Sequence, residues 1–555
     1  MDHPARLALL SLALATSLFA SAPAADAPVV AVVAVDGYAD VKQQLGWLGQ
    51  RVGNPQLAAL AESFVMMATQ FKGLAGLDVK RPAGIVVTAS GDQPVIHGYV
   101  PVKDLDRLLD VLKGTTGPVA QAGGKRLITL PTGMQLEIAE EDGWAVIAPA
   151  GSPAGPDKPA DLIAGVAGKF SLGVKAFPAR MPEGMREQVK AMIEQGADAA
   201  AAQGQPMDAA ALDAAFEGLE ETESILFGLA IDPDGDQIFI ESGSQMVPGS
   251  SGAEAWTAAG KAGKALGLPA AGDGKPAAVA GHHSQAVPEA TRVAVEATLA
   301  QALPAGTGDP VTDALFGLVQ DLIGSMLDTG GMDLGLAVDT SGVTGDELLP
   351  AVTLAARIKD GPALEKQVKN RFGKEGSLPP EVTIAFDAGR KAGANLHEVE
   401  IDLVGTPLAD TVGDTLRATL AVTDDRAYLL TGGDVADRIA AAVAAGKKAD
   451  PDATPLTRVE LSVPALLGFA AEMAKAGQPG EPLGPALANA AKDAAAKPSA
   501  IVRMTMQPIE RGAAMRLAAD AGAIESIAGA IMAQGMAAGP PGAGFPGGGV
   551  PTFAP

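Results

Sequence analysis

Apolar and polar positions change spacing within Tyr99–Gly114, "YVPVKDLDRLLDVLKG". Val100 and Val102 alternate with other residues, which is the spacing of a half-buried β-strand. After Lys103-Asp104, leucines recur three and four positions apart, as they do along one face of an α-helix. The pattern therefore predicts a strand, a Lys–Asp step and a helix. We expect the aspartate to cap that helix, because its carboxylate can accept hydrogen bonds from the first-turn N–H groups.

The same pattern returns at Leu354–Gly373, "LAARIKDGPALEKQVKNRFG". Here an apolar strand meets Lys359-Asp360, and a helix follows with apolar residues at helical spacing. Upstream of both units, at the same offset, Asn or Asp precedes proline in "NPQLAALAESFV" from Asn54 and "DPVTDALFGLVQ" from Asp309. Such a pair is typical of helix starts. Matches that keep their order along the chain indicate an internal duplication.

Further matches extend the duplication, with changes of offset that loops would explain. They pair "GIVVTASG" from Gly84 with "GLAVDTSG" from Gly335, "DGWAVIA" from Asp142 with "DDRAYLL" from Asp424, "KFSLGVKAFPARM" from Lys169 with "LTRVELSVPALLG" from Leu456, and "SILFGLAIDPDGDQIFIESGS" from Ser224 with "AIVRMTMQPIERGAAMRLAADAG" from Ala500. We predict two homologous halves, residues 28–268 and 272–535. The Gly/Pro-rich stretch Gly267–Pro276 is suited to a linker between them.

Each half is predicted to be α+β, with a mainly antiparallel sheet and helices packed on one face. Strands that follow one another after short turns pair antiparallel. Segment Pro310–Asp328 has an apolar stripe at helical spacing. We expect that stripe in the core, because no Lys/Arg border marks it as a membrane-surface helix. The Gly/Pro-rich tail 536–555 cannot bury enough surface to offset its ordering entropy, and we expect it to be disordered.

Residues 1–25 match a secretory signal peptide. Arg6 supplies the positive start, Leu7–Ala20 is an apolar or small-residue run, and "SAPAA" offers cleavage positions near Ala24 or Ala25. The run is too short for a membrane span of about 20 residues, although an uncleaved N-terminal anchor remains an alternative. We expect an exported protein of the periplasm or the extracellular space.

Composition narrows the function further. The chain has no cysteine, which excludes disulfides, a thiol nucleophile and thiolate metal sites. The 65 acidic and 41 basic residues give a net charge of −24, which disfavours binding to nucleic acid. Only 3 Trp and 3 Tyr are present, too few for aromatic stacking platforms. No later segment reaches about 18 strongly apolar residues, so we expect no transmembrane span in the mature chain.

The repeated Lys–Asp helix unit, the duplicated halves and the export signal together resemble a family of exported bacterial proteins of unknown function. The resemblance covers most of the mature chain. It implies the duplicated α+β architecture and export, and it carries over no catalytic residue.

One motif resembles that of aspartic proteases, which hold two carboxylates in a shared-proton dyad. Asp328-Thr329-Gly330 has the required residue types, but the offset between the halves places Gly73 opposite the aspartate. A second candidate, Asp339, lies in the same half and aligns with Thr88. No partner carboxylate is thus predicted in the other half. We expect the Asp328 segment to be a helix end at a glycine.

The acidic run Asp232–Asp236, "DPDGD", resembles a calcium loop. An EF-hand needs glycine at its sixth position and glutamate at its twelfth, where this chain has Gln237 and Gly243. Apolar runs on both sides make Pro-Asp-Gly a hairpin turn. A metal site there is the alternative.

Histidines and serines also give no complete motif. His97 aligns with Thr353, and His397 lies in an alternating strand, while His282-His283 is an adjacent pair whose side chains would point apart. Convergence of His397-Glu398 with that pair on zinc is an alternative. The "GSSG" from Gly249 precedes a helix and is expected to cap it. We assign no catalytic, metal-binding or cofactor-binding residue, and no cofactor.

The sequence therefore predicts an exported protein without a catalytic centre, with a binding, scaffolding or envelope-associated role and an unidentified envelope or extracellular partner. Two alternatives stay open. A hydrolase would need residues that converge only in three dimensions, around a pocket with perturbed titratable groups. A carrier of an apolar ligand would need a large apolar cavity.

Overall fold

A computed structural model of the chain describes residues 27–537 apart from short internal segments. Those segments are 123–124, 131–132, 157, 203–215, 217, 261–276, 290–291, 294, 296–309, 345–347, 375–377, 406–408, 410–412, 449–455, 478–482 and 498. The predicted signal peptide, the predicted linker and nearly all of the predicted tail therefore lie outside the described residues.

The described residues form two compact units, unit 1 mostly from residues 54–254 and unit 2 mostly from residues 255–509. In both units, strands adjacent in the sheet run antiparallel, so the α+β class with a large antiparallel sheet is confirmed.

The strands of unit 1 pair in the order β4-β5-β6-β7-β3-β2-β1-β8-β9-β10. They are β1 Val29–Val35, β2 Ala83–Ser90, β3 Gln93–Pro101, β4 Ala120–Ala122, β5 Lys125–Thr129, β6 Gln135–Glu141, β7 Trp144–Pro149, β8 Leu172–Ala176, β9 Thr222–Asp232 and β10 Gln237–Met246.

The strands of unit 2 pair in the order β14-β15-β16-β17-β13-β12-β11-β18-β19-β20. They are β11 Val279–Ala286, β12 Gly331–Asp339, β13 Ala351–Arg357, β14 Val382–Lys391, β15 Ala394–Asp402, β16 Thr415–Val422, β17 Arg426–Thr431, β18 Thr457–Ser462, β19 Ile501–Ile509 and β20 Gly512–Asp520. Adding ten to each strand number of unit 1 reproduces this order.

The described helices lie between these strands, except for the last one, which follows β20. They are α1 Tyr38–Arg51, α2 Leu57–Ala68, α3 Leu105–Thr116, α4 Pro159–Ala167, a short 3-10 helix Pro178–Arg180, α5 Glu183–Ala202, α6 Ser251–Ala259, α7 Pro310–Leu327, α8 Gly361–Phe372, α9 Val435–Lys448, α10 Val463–Gly477, α11 Leu483–Ala495 and α12 Ala521–Ala537. Within the described part of the chain, no helix combines the length and the apolar character that crossing a membrane requires.

Helices cover both faces of the unit 1 sheet. Helix α3 packs its leucines against Ile138 and neighbouring residues, and Ile147 adjoins this cluster. These side chains share a cross-strand row with Ile85 of β2. The preceding residue, Gly84, points to the other face, where a Cβ would lie 2.7 Å from Cγ1 of Ile163 in α4. The prediction that helices pack on one face is therefore wrong for this unit.

Unit 2 shows the same two-sided cover. Helix α8 packs on Leu420 and Val422 of β16, whereas α9 packs on Ala421, the residue between them. Because successive residues of a strand point to opposite faces, the two helices lie on opposite sides of the sheet. In α7, Met326 is buried as predicted for the apolar stripe, but Val319 is 39% exposed. Stripe residues Leu315 and Leu318 have side chains outside the described ones.

The Lys–Asp steps join strand to helix as predicted. Asp104 is the N-cap of α3 and accepts the Arg107 N–H at 3.0 Å. Asp360 is the N-cap of α8 and accepts the Ala363 N–H at 2.9 Å. Both aspartates have extended backbone geometry, which lets the carboxylate reach the third N–H of the helix. The cap prediction is confirmed in both units.

Replacing Asp360 by Ala should lower the free energy of unfolding by about 0.5–2 kcal/mol, because a first-turn N–H loses its acceptor. Asn at this position should restore most of the loss, since its carbonyl oxygen can accept the same hydrogen bond. Urea denaturation of each variant measures both effects, with exposed Lys366→Ala in α8 as the control. A calcium-dependent stability that disappears equally in the Ala and Asn variants would contradict the cap assignment.

Candidate functional site

The two aspartates of the protease-like motifs lie at opposite ends of β12. Asp328 lies at the end of α7 and pairs with Arg292 at 3.0 Å, and Gly330 has the left-handed φ of 80° expected at a helix end. Asp339 ends the strand, and its carboxylate accepts the Ser341 N–H at 2.9 Å. The nine-residue strand between them separates the two carboxylates by about 30 Å, at 3.3–3.4 Å per residue. They cannot form a dyad.

The calcium-like run is a hairpin turn between β9 and β10, as predicted. Asp232 accepts the Gly235 N–H at 2.8 Å and the Gln237 side-chain amide at 3.2 Å. Its carboxylate therefore stabilises the turn.

The "GSSG" motif lies at the start of α6. Ser250 accepts the Ala253 N–H at 3.2 Å, which confirms its role as a helix cap.

The histidines do not converge. His282 and His283 are on β11, and His397 is on β15, with β12, β13, β17 and β16 between the two strands. At a spacing of about 4.8 Å per strand, the pair cannot share a metal ion with His397. In unit 1, buried His97 lies with Nε2 3.4 Å from Oγ1 of Thr88. The zinc alternative that combined these residues is wrong.

A polar cluster surrounds His397, and no sequence motif indicates it. Helix α8 supplies Glu365 and Lys369, one turn apart, and the β14–β15 hairpin supplies Asp387, Asn395 and His397. One carboxylate oxygen of Glu365 lies 3.7 Å from Nε2 of His397. Lys369 Nζ donates to both carboxylate oxygens of Asp387 at 2.8 and 2.9 Å, and the Asn395 amide donates to one of them at 2.7 Å.

A β-bulge creates the cluster. The register of β14 against β15 shifts between Ala385 and Gly389, and Asp387 adopts a left-handed φ of 54° there. The bulge turns the Asp387 N–H away from the strand ladder, and it donates to Nδ1 of His397 at 3.2 Å. The imidazole is 1% exposed and lies edge-to-face against Phe386. It is held by backbone on one side and by an aromatic ring on another.

The spacing of Glu365, Asp387 and His397 resembles a metal site, since one ligand atom from each lies within 4.8 Å of the others. Two contacts argue against metal binding. Because Nδ1 accepts the Asp387 N–H, the proton of the neutral imidazole is on Nε2, and that atom cannot also donate a lone pair to a metal. Lys369 also neutralises the carboxylate a cation would need. The geometry fits an ion-pair network that fastens the hairpin to α8.

Burial and charge set the protonation states of this cluster. The pKa of His397 is lowered mainly by its burial, with the Lys369 charge adding to the effect while Glu365 and Asp387 oppose it. The pKa of Asp387 is lowered, first by its hydrogen bond to Lys369 and then by that to Asn395. The imidazole is therefore neutral and the carboxylate ionised near pH 7. A neutral, immobilised histidine with a filled acceptor site has a structural role here.

An apolar surface is the second feature, and it lies on the sheet of unit 1. We call it the apolar face: the side chains of Val35, Leu172, Ile225, Phe227 and Ile240 on β1, β8, β9 and β10. Direct cross-strand pairing links Val35 to Leu172, Leu172 to Leu229, and Leu229 to Ile240. The five side chains are 37–51% exposed, with Phe227 the most exposed.

Pairing also shows that the apolar face continues the surface that α3 covers. Phe227 pairs with Val174, Val174 with Val33, and Val33 with Ile85, in the row that leads to Ile147 beside α3. Helix α3 covers only part of this face of the sheet, and the side chains farther along the row are exposed. The sequence signal was the unbroken apolar run "VVAVVAV" of β1, which is apolar on both faces.

Helix α2 carries further exposed apolar side chains in unit 1. None of its residues is buried. Leu60, Phe64 and Met67, with Phe71 just beyond the helix, follow one another at helical spacing and are 49–77% exposed. Such a stripe on a globular protein is ordinarily turned to the core. Unit 1 thus shows apolar residues to solvent on both a helix and its sheet.

Stability should fall as the pH drops below about 6.5, the ordinary pKa of histidine. A pKa lowered by folding means that the unfolded chain binds the proton more readily, so the His397 contribution is complete above pH 6.5 and is lost toward its folded pKa. His97 and His283, whose pKa values burial also lowers, act in the same direction. Urea denaturation at pH 7, 6 and 5 measures this effect. The free energy of unfolding should fall less steeply with pH in His397→Gln, and the slope should decrease by up to the equivalent of one bound proton.

Phe386→Leu is the control for this pH series. It removes no titrating group, so it should lower stability at each pH and keep a pH dependence, which weakens only as far as the looser packing lets water reach the imidazole. An unchanged slope in His397→Gln would show that the buried imidazole does not titrate as the structure indicates.

Comparison of the chain with models of protein families, with curated proteins and with solved structures found no match. Its function therefore has to be inferred from its own geometry. The polar cluster has a structural explanation, whereas the exposed apolar face has none within unit 1.

Proposed function

We propose that the protein is an exported binding protein without a catalytic centre, and that it engages a protein partner through the apolar face of unit 1. The observation that carries this proposal is the contiguous set of side chains on β1, β8, β9 and β10, each 37–51% exposed. Single exposed apolar residues are common on soluble proteins, but a contiguous set on one sheet face marks an interaction surface.

The shape and chemistry of the apolar face favour a protein partner. Its side chains are β-branched, leucine or phenylalanine on a sheet, which can pack against another apolar surface at about 10 Å, as stacked sheets do. Phe227, at its centre, is the residue type expected of an interface anchor. The net charge of −24 disfavours an anionic membrane surface, which attracts basic segments.

Export and duplication belong to the proposal. The N-terminal apolar run and small-residue cleavage positions support export, and the absence of cysteine is compatible with it. The common strand order of the two units supports the duplication of residues 28–268 as 272–535, and with it the resemblance to duplicated exported bacterial proteins. Polar features differ between the units: buried His97 of β3 corresponds to Thr353 of β13, which accepts a hydrogen bond from Arg438 at 2.6 Å.

The hydrolase alternative receives less support. It needs titratable groups with shifted pKa values around one pocket. The histidines with lowered pKa values, His97, His283 and His397, lie on three separate strands. Buried Tyr99, whose pKa burial raises to about 12, packs edge-to-face on Trp144 and serves the core of unit 1. None of these groups is brought to a common cleft.

A photo-reactive residue placed at Phe227 should cross-link a discrete protein partner in cells that produce the protein. The same residue at Met192 is the control, because Met192 is 71% exposed on α5 and lies outside the apolar face. Introducing Leu172→Asp beside the probe at 227 should reduce the adduct at least several-fold, since a charge would be buried in the interface. The measurement is the intensity of the adduct band.

Three results would contradict the proposal: no adduct from position 227, the same adducts from 192, or an adduct unaffected by Leu172→Asp. Binding of the purified protein to anionic vesicles, lost in Leu172→Asp, would instead assign the apolar face to a membrane. Leu172→Asp should lower the free energy of unfolding by about 1 kcal/mol, because Asp is disfavoured in strands, and urea denaturation should show that the variant remains folded, so that a loss of binding is not a loss of fold.

A further inference from the structure

A cleft of about 710 Å³ opens in unit 2. Four segments line it: the loop that follows β12, helix α10, the C-terminal half of α11 and the start of β19. Its volume lies within the range of small-molecule sites, which are mostly apolar with a few polar groups. The cleft shares no residue with the apolar face, so a ligand site in it is independent of the proposed function.

Small apolar side chains form the floor of the cleft. Ala465 and Gly468 of α10 face Ala491, Ala494 and Ala495 of α11. A Cβ added at Gly468 would lie 4.0 Å from the Cβ of Ala491, an ordinary contact, so the two helices lie close together at these small residues. Phe469 adds one aromatic side chain to the lining. The alanines and Phe469 can contact an apolar chain, whereas the hydroxyl side chains of the lining lie on other segments: Thr340, Ser341, Ser462 and Ser499.

Four charged residues line the cleft, and two of them have ion-pair partners. Glu472 pairs with Lys475 at 2.6 Å, and Lys497 with Glu525 at 2.6 Å. The Asp339 carboxylate accepts the Ser341 N–H and raises the pKa of buried Arg438, opposing the larger effect of burial.

Lys492 of α11 is the fourth, and within the described part of the chain it has no ion-pair partner. The cleft therefore combines an apolar floor with an unpaired positive charge at Lys492, and it also contains the Asp339 carboxylate at the end of β12.

We propose that this cleft binds a single-chain amphiphile with an anionic head group. The apolar chain would lie over the small residues of α10 and α11, and Lys492 would pair with the head group. A fatty acid and a lysophospholipid share this chemistry, and competition between them for the cleft separates the two. The site assigns unit 2 a ligand in addition to the partner of unit 1.

The test uses the full-length mature protein and a dansyl-labelled undecanoate, whose fluorescence rises when it enters an apolar site. We expect saturable binding of one probe per chain and displacement by dodecanoate. Gly468→Leu should abolish binding, because the new side chain fills the floor of the cleft, while it favours the helix. Gly529→Leu is the matched control: it also replaces a helical glycine of unit 2, at a place with nothing within 4 Å of a new Cβ.

The head group is tested separately. Lys492→Gln should weaken the binding of dodecanoate by about fivefold, which is the scale of an exposed ion pair. It should leave the binding of dodecanol unchanged. Replacement of the exposed Lys447 of α9 by Gln is the control for overall charge. If lysophospholipid displaces the dansyl probe more strongly than dodecanoate does, the ligand is a lysophospholipid. If dodecanoate displaces the probe more strongly, the ligand is a fatty acid. Absence of saturable binding, equal binding in Gly468→Leu, or equal effects of Lys492→Gln on acid and alcohol would overturn the proposal.

Discussion

Strand β1, in the interior of the unit 1 sheet, is apolar on both sides, and the arrangement of helices in that unit follows from this constraint. A strand such as β1, "VVAVVAV", buries one set of side chains on each face. Each face then needs cover, because exposed apolar area costs about 25 cal/mol per Å² relative to burial. In unit 1, α4 covers one face at Gly84, and α3 covers part of the other through Ile138. Where α3 ends, the described residues of the unit leave part of the second face exposed.

This constraint explains which parts of the fold the sequence could predict. Local signals were sufficient for the strand–Lys–Asp–helix units, since a cap depends on one carboxylate and N–H groups three residues away, as at Asp104 and Asp360. The side of the sheet on which each helix lies depends on contacts distant in sequence. The sequence of β1 contained part of that information. Its residues are apolar at both odd and even positions, which argues against helices on one face only.

The polar cluster of unit 2 could not be read from the sequence for a different reason. Glu365, Asp387 and His397 have no motif spacing, and they meet only because a bulge interrupts the pairing of β14 with β15. A bulge at Asp387 has a weak sequence signal, a residue type that tolerates positive φ. The hydrogen bond from its freed N–H favours the tautomer with the proton on Nε2, and so argues against the metal binding that the three side chains suggest.

Charge and apolar surface act together in this protein. An exposed sheet face with Phe227 at 51% exposure would by itself promote self-association of the chain. A net charge of −24 opposes such association, because two copies repel each other before their apolar faces can meet. A partner that is neutral or basic does not meet this repulsion. The acidity of the chain therefore favours an unlike partner over a second copy, and it allows an uncovered apolar face to persist in contact with water.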